Sequence, residues 1–162
     1  MDPIVLNDIT ISYPAGFHVL DDAERGRLHF IEVGDGVCLS DPERHMLISI
    51  AYKKVGGLTS VLLKGRDLAK AMETAVRKSM QPFEYQSVGS IKRMVGSCES
   101  EGFCYTYTAQ NIPMYGESLV LRSGKAAYYF HLYARDGLRA ESIPVWEELL
   151  GSVDIRSELH SD

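Results

Sequence analysis

The sequence is poor in nearly every marker that assigns a chemistry on sight. It has three cysteines in 162 residues. An odd, small number fits a reducing compartment better than a disulfide framework. None stands in a Cys-x-x-Cys pair, so zinc lacks its usual thiolate spacing. The histidines are His18, His29, His45, His131 and His160. They form no His-Glu-x-x-His pattern and no close pair. Gly-x-Ser-x-Gly is absent, which removes support for a nucleophile elbow. Gly34-Asp35-Gly36 and Gly56-Gly57 lack the spacing, and the following lysine, of a phosphate cradle. Asp21-Asp22 and Glu147-Glu148 read as solvated surface rather than as paired catalytic carboxylates. Basic clusters are also missing: Lys53-Lys54 is the nearest, and the formal charge is −5 with a sequence pI of about 5.5. That balance argues against nucleic acid and anionic membrane, both of which reward a basic face. No window reaches the roughly 18 apolar residues of a membrane span. The start, Met1 to Asp8, has no basic region and no long apolar run, so neither a secretory signal nor a lipoprotein anchor is expected there. The expected location is the cytoplasm.

What is present is ordinary globular composition, 45% hydrophobic and 24% charged. One domain is expected over residues 1–156, with a polar tail at 157–162. Ile9, Ile11 and Tyr13 alternate with Thr10 and Ser12, a strand period. Pro14-Ala15-Gly16 marks a turn, and residues 17–20 resume extended chain. Residues 28–33 and 37–40 flank Gly34-Asp35-Gly36 as a hairpin. Residues 45–53 form a strand that is apolar on both sides, hence central and covered on both faces. Leu68, Ala71, Met72, Ala75, Val76, Ser79 and Met80 recur at helical spacing. Asp67 or Thr59 is a candidate cap for that helix, and Pro82 ends it. A meander follows. Residues 83–99 are extended and broken near Gly89, with Ser100-Glu101-Gly102 as a hairpin loop and residues 103–112 returning. Residues 118–122 and 126–134 pair around Ser123-Gly124. A last helix spans about 142–150, with Pro144 in its first turn and Gly151 as its cap. The fold class is therefore α+β: an antiparallel sheet of six or seven strands sandwiched between helices, an α/β/α sandwich.

This order resembles the PsbP-like superfamily, the fold shared by the photosystem extrinsic protein PsbP and the Mog-type Ran-binding import factor. Three features carry the resemblance. Tyr13-Pro14-Ala15-Gly16-Phe17 is similar to the aromatic-Pro-x-Gly-aromatic corner of that group. A mid-chain helix precedes the meander. Trp146-Glu147-Glu148-Leu149-Leu150-Gly151-Ser152-Val153 is similar to its terminal helix running into a short strand. The resemblance spans about Ile9 to Ile155 and is one of architecture. It implies a sheet packed between helices and a role as a binding subunit, adaptor or secretion chaperone. No residue set for Ran or photosystem binding can be placed on this chain.

Two constellations remain. With a loop at 100–102, Cys98 and Cys104 would stand opposite each other, as a cross-strand disulfide or metal half-site. The plainer and favoured reading is two small buried thiols. Cys38 has no evident partner. Tyr129, His131 and Tyr133 share one face of a strand, while Tyr128, Phe130 and Leu132 take the other. Tyr105 and Tyr107 on the neighbouring hairpin extend the first face. The plainer reading is a half-buried strand; the functional one is an aromatic pocket or contact surface. Together these features predict a non-enzymatic protein-binding or adaptor module. A secretion-associated chaperone or a homodimer is a form it could take, and no cofactor is expected. The alternative is a small-ligand carrier or small enzyme using the Tyr/His face. It requires a concave site that holds His131 with a second titratable group.

Overall fold

The computed structural model describes residues 3–28, 36–55 and 64–156. The expected hairpin arm at 28–33, His29, Gly56-Gly57, the Thr59 cap, His160 and the polar tail fall wholly or largely outside them. Strands β1 (Ile4–Leu6) and β2 (Ile9–Ile11) form a small antiparallel sheet with β10 (Asp154–Ile155). The main sheet is antiparallel and seven-stranded. Its members are β3 (His18–Val19), β4 (Gly36–Asp41), β5 (Met46–Lys54), β6 (Gln86–Val95), β7 (Cys98–Ala109), β8 (Ile112–Ser123) and β9 (Ala126–Arg135). Their spatial order is β3-β4-β5-β9-β8-β7-β6. The helices among the described residues are α1 (Asp22–Arg25), α2 (Gly65–Met80) and α3 (Arg139–Gly151). The architecture is the expected α+β sandwich, with β5 central as its two apolar sides require.

Each face of the main sheet has its own core. Ile48 and Ile50 of β5, Leu119 of β8, and Tyr128, Phe130 and Leu132 of β9 point to one face. There they meet Trp146, Leu149 and Leu150 of α3 and Ile9 and Ile11 of the small sheet. Phe103, Tyr105, Tyr107 and Tyr133 point to the other face, under Met72 and Met80 of α2. Helix α2 forms because its apolar residues recur at 3.6 spacing, with Arg77 and Lys78 favourably placed in its last turn. Asp67 is not its cap. It sits at the third helical position, where its carboxylate accepts the Lys64 backbone N–H at 3.3 Å. Pro82 ends the helix in a 3-10 turn, Gln81–Phe83. The Asp21-Asp22 pair does more than face solvent: Asp21 caps α1 in a reciprocal box with Glu24.

The Tyr-Pro-Ala-Gly-Phe corner is locked to the sheet. Gly16 has φ +102°, and a Cβ there would lie 2.8 Å from Asp41 Oδ2. Asp41 is buried and accepts the Glu43 and Arg44 backbone N–H groups, and the Arg44 guanidinium in turn donates to Ala15 O at 2.9 Å. Burial works to raise the Asp41 carboxyl, but these donors outweigh it and hold the group below its ordinary range.

Several sequence expectations fail at turns. The β6–β7 hairpin turns at Gly96-Ser97, not at Ser100-Glu101-Gly102, and Val95 pairs with Cys98. Gly96 has φ +59° and donates its N–H to Leu150 O, where no Cβ would fit. Gly102 lies mid-strand, where a Cβ would fall 1.9 Å from Ser118 O. Cys98 and Cys104 therefore share one strand, six positions and about 20 Å apart, and cannot bridge. A second turn, Gln110-Asn111 with φ +52° and +64°, splits the expected 103–112 run. The Ser123-Gly124 hairpin is present. Helix α3 starts earlier than expected, so Pro144 lies beyond its first turn, and its C-cap is Ser152 rather than Gly151.

One acidic side chain ties the layers together. Glu117 of β8 is fully buried. Its carboxylate takes both arms of Arg93 on β6, at 2.6 and 2.8 Å. It also accepts Tyr115 Oη at 2.6 Å and Trp146 Nε1 of α3 at 2.9 Å. The hydrogen bonds to Glu117 hold the Arg93 guanidinium above its ordinary value, against the opposing effect of burial. Removing the carboxylate leaves four donor groups, on three side chains, without their acceptor in the core. Glu117→Ala should therefore cost about 3–5 kcal/mol in urea unfolding, and Glu117→Gln should recover part of it. A loss under 1 kcal/mol in the alanine variant would contradict this account.

Candidate functional site

The seven strands are wider than α2. The helix contacts β7 and β8 and, among the described residues, part of β5 and β9 is left uncovered on its face. Between them lies an open groove of about 590 Å³. Its floor is Ser49, Ala51 and Lys53 of β5 with Tyr129, His131 and Tyr133 of β9. Its wall is the α2 side bearing Leu68, Ala71, Met72, Ala75, Val76 and Met80, with Ser79. Strand alternation alone places these floor residues together, since Ser49 pairs with His131 and Ala51 with Tyr129.

His131 is half-buried at the centre of this floor. Its Nδ1 lies 2.7 Å from Ser118 Oγ on β8, and its ring stacks on Tyr133 at 6.2 Å. Burial disfavours the charged imidazolium and pulls its pKa down to about 4 from 6.5. The imidazole is thus neutral at physiological pH. A Ser–His contact is the geometry of an activated nucleophile. Here Ser118 is fully buried mid-strand, and no acidic group orients the imidazole among the described residues. Tyr129 is half-buried beneath the Lys53 ammonium, 5.9 Å from its ring centre. Burial raises its phenol above the ordinary value.

The remaining sequence candidates lie elsewhere. Tyr105 is fully buried, stacked on Tyr85 at 5.2 Å and laid across Gly116, where a Cβ would come 2.3 Å from Tyr105 Cζ. It packs the core and offers no surface. Tyr107 is also buried and, with Tyr133, borders a second cavity of about 430 Å³ near Leu20, Pro42 and His45. Among the described residues no three His, Cys, Asp or Glu side chains could hold a metal ion. Cys38 is buried, and burial raises its thiol despite Arg25 nearby. Sequence reasoning missed Lys53 and the small side chains Ala71 and Ala75. Lys53 does share the parity of Ser49 and Ala51, which was the available signal.

A second surface is the sheet edge. β6 is ten residues long, terminal in the sheet among the described residues and exposed at most of its positions. Val88 is bulged out of register between Ser87 and Gly89, and Val88 and Met94 are 52% and 53% exposed. The opposite edge, β3, has only two residues.

No family model and no curated protein matches the chain. Solved structures do. Cyanobacterial PsbP (CyanoP) from Synechocystis sp. PCC 6803 is similar at TM-score 0.64 and 15% identity, over 92% of this chain and 87% of that one. A point mutant of Mog1 is similar at TM-score 0.59 and 11% identity, over 99% and 98%. The T6SS immunity protein TplEi from Pseudomonas aeruginosa, solved in complex with an "L" peptide, is similar at TM-score 0.50 and 15% identity, over 75% of this chain and 47% of that one. The chain has the PsbP/Mog1-like fold.

His131 also makes stability depend on pH. The unfolded chain takes up this proton near 6.5 and the folded chain only near 4. Between those values the unfolded state binds more protons, so stability falls as pH drops through that window and is whole above it. The loss attributable to His131 by pH 4 should be about 3 kcal/mol. Denaturation of wild type and His131→Asn between pH 7 and 4 should show that much less acid sensitivity in the variant. Identical pH slopes would contradict it.

Proposed function

We propose that this chain is a non-enzymatic protein-binding module that takes its partner on the free edge of the main sheet, β6. The observation that carries the reading is the length and exposure of that edge. A ten-residue terminal strand presents a row of main-chain donors and acceptors, which proteins ordinarily shorten, cover or charge. An added strand satisfies those groups, and pockets for alternate side chains supply selectivity. The segment carries Lys92 and Arg93 and no acidic residue, in a chain of net charge −5. Arg93 is turned inward onto Glu117, and Lys92 leans on Glu99 at 3.6 Å. The charges thus leave Val88 and Met94 as the apolar contacts on offer.

Support also comes from the fold. A structure of similar architecture holds a peptide. Ser118 is fully buried beneath His131 and supplies no accessible nucleophile, which favours recognition over turnover. An adaptor or secretion-associated chaperone is the specific form of this reading, and a second copy paired through β6 is its homodimeric form. Among the described residues no helix is long and apolar enough to cross a membrane.

The test is affinity capture from the native lysate with wild type and a Val88→Asp/Met94→Asp double variant. Both positions are more than half exposed, so folding should change by under about 1 kcal/mol. Wild type should recover a discrete partner that the variant loses, and the complex should slow amide exchange along β6, most from Gly89 to Val95. A partner retained by the variant, with β6 unprotected, would refute the edge as the site. Sedimentation velocity separates the homodimer.

A further inference from the structure

The geometry points to a binding site for an amphipathic monocarboxylate: its apolar body in the groove between α2 and the β5–β9 floor, its carboxylate on Lys53 Nζ. This goes beyond the edge-strand reading and uses a different part of the molecule, because β8 and β7 separate β9 from β6.

The groove has the size of a small-molecule site, about 590 Å³. Its wall is aliphatic, and the exposed Ala71 and Ala75 leave the space that larger side chains would fill. Among the described lining residues Lys53 alone carries a formal charge. It is exposed at the rim and has no carboxylate within salt-bridge distance among the described residues. The Tyr129 ring beneath it steadies the ammonium without neutralising it. An uncompensated cation at the mouth of an apolar slot selects for an anion with an apolar tail. A cationic amphiphile of the same length meets repulsion there, and a dianion would leave one charge unpaired against the aliphatic wall. Along β5 the distance from Ser49 to Lys53 is about 13 Å, so the slot suits an elongated ligand. At the Ser49 end the wall offers His131. Ser118 holds its Nδ1, and Nε2 has no protein partner among the described residues. The neutral ring adds a polar contact there without a second charge.

The test is calorimetric titration of the full chain with decanoate, kept below its micelle-forming concentration, and with decylamine as the head-group control. Decanoate should bind at one site and raise the melting temperature by linkage; decylamine should not bind. Lys53→Gln should weaken decanoate about 10-fold, the value of one charge-assisted hydrogen bond. Ala75→Trp, on the exposed side of α2, should fill the slot and abolish binding while the melting temperature of the free protein is kept. Absence of saturable binding would overturn the site, as would equal binding of decylamine or full affinity in either variant. None of these outcomes bears on β6, and loss of the edge partner would leave this titration unchanged.

Discussion

The buried carboxylate of Glu117 sets the constraint that the rest of the molecule obeys. A lone carboxylate inside a core is unaffordable, since its desolvation cost exceeds any single hydrogen bond. Here four donors converge on it, from β6, β8 and α3. Arg93 can reach it only if β6 pairs with β7 in one register. A slip by one residue would turn Arg93 out to the opposite face. Trp146 can reach it only if α3 crosses that face at one height. The network thus fixes the last strand of the sheet and one helix at once. Its cost and its selectivity have the same source, because an arrangement that loses these donors leaves the charge buried without partners.

The rest follows from width. Seven strands at about 4.8 Å spacing make a sheet roughly 29 Å across, whereas one helix with its side chains covers about 10–12 Å. On the Glu117 face, α3 shares the load with the three-stranded sheet, which is held by Asn7 and Asp8 on Tyr128 Oη and by Ser12 on Ser152. On the opposite face α2 has no such helper among the described residues. It sits over β7 and β8, where Phe103, Tyr105 and Tyr107 need cover most. The groove over β5 and β9 is what α2, among the described residues, leaves open on that face.

Periodic features were legible in the sequence, and contacts between distant residues were not. The two apolar sides of β5, the stripe of α2 and the Tyr/His alternation of β9 are local patterns, and all three are present. The turns were harder because glycine has two uses. At Gly96 it supplies a left-handed turn; at Gly102 it makes room for the Ser118 carbonyl. Only the neighbouring strand distinguishes them. The misplaced turn then put Cys98 opposite Cys104. The Gln110-Asn111 turn carries no glycine at all. Glu117 reads as an ordinary strand acid, since Arg93 and Trp146, which hold it to β6 and α3, are 24 and 29 residues away. Lys53 reads as a solvated cation until α2 is seen beside it.

Order at the edge strand matters for what it can recruit. An added strand pays for the ordering of both partners, and a pre-set edge removes half of that cost. Arg93 pins the second half of β6 from inside through Glu117, and the Gly96-Ser97 turn is tied to Leu150 O at the end of α3. The outer row of β6 is therefore held in extended form by bonds that a partner would not disturb. The bulge at Val88 interrupts this order at the start of the strand. Pairing would thus run best from Gly89 to Val95, where register is fixed. A bulge also twists an edge away from flat stacking, which disfavours indiscriminate edge-to-edge association. On the proposed reading, the same strand would offer a short ordered template while resisting aggregation, and a selective strand receptor needs both.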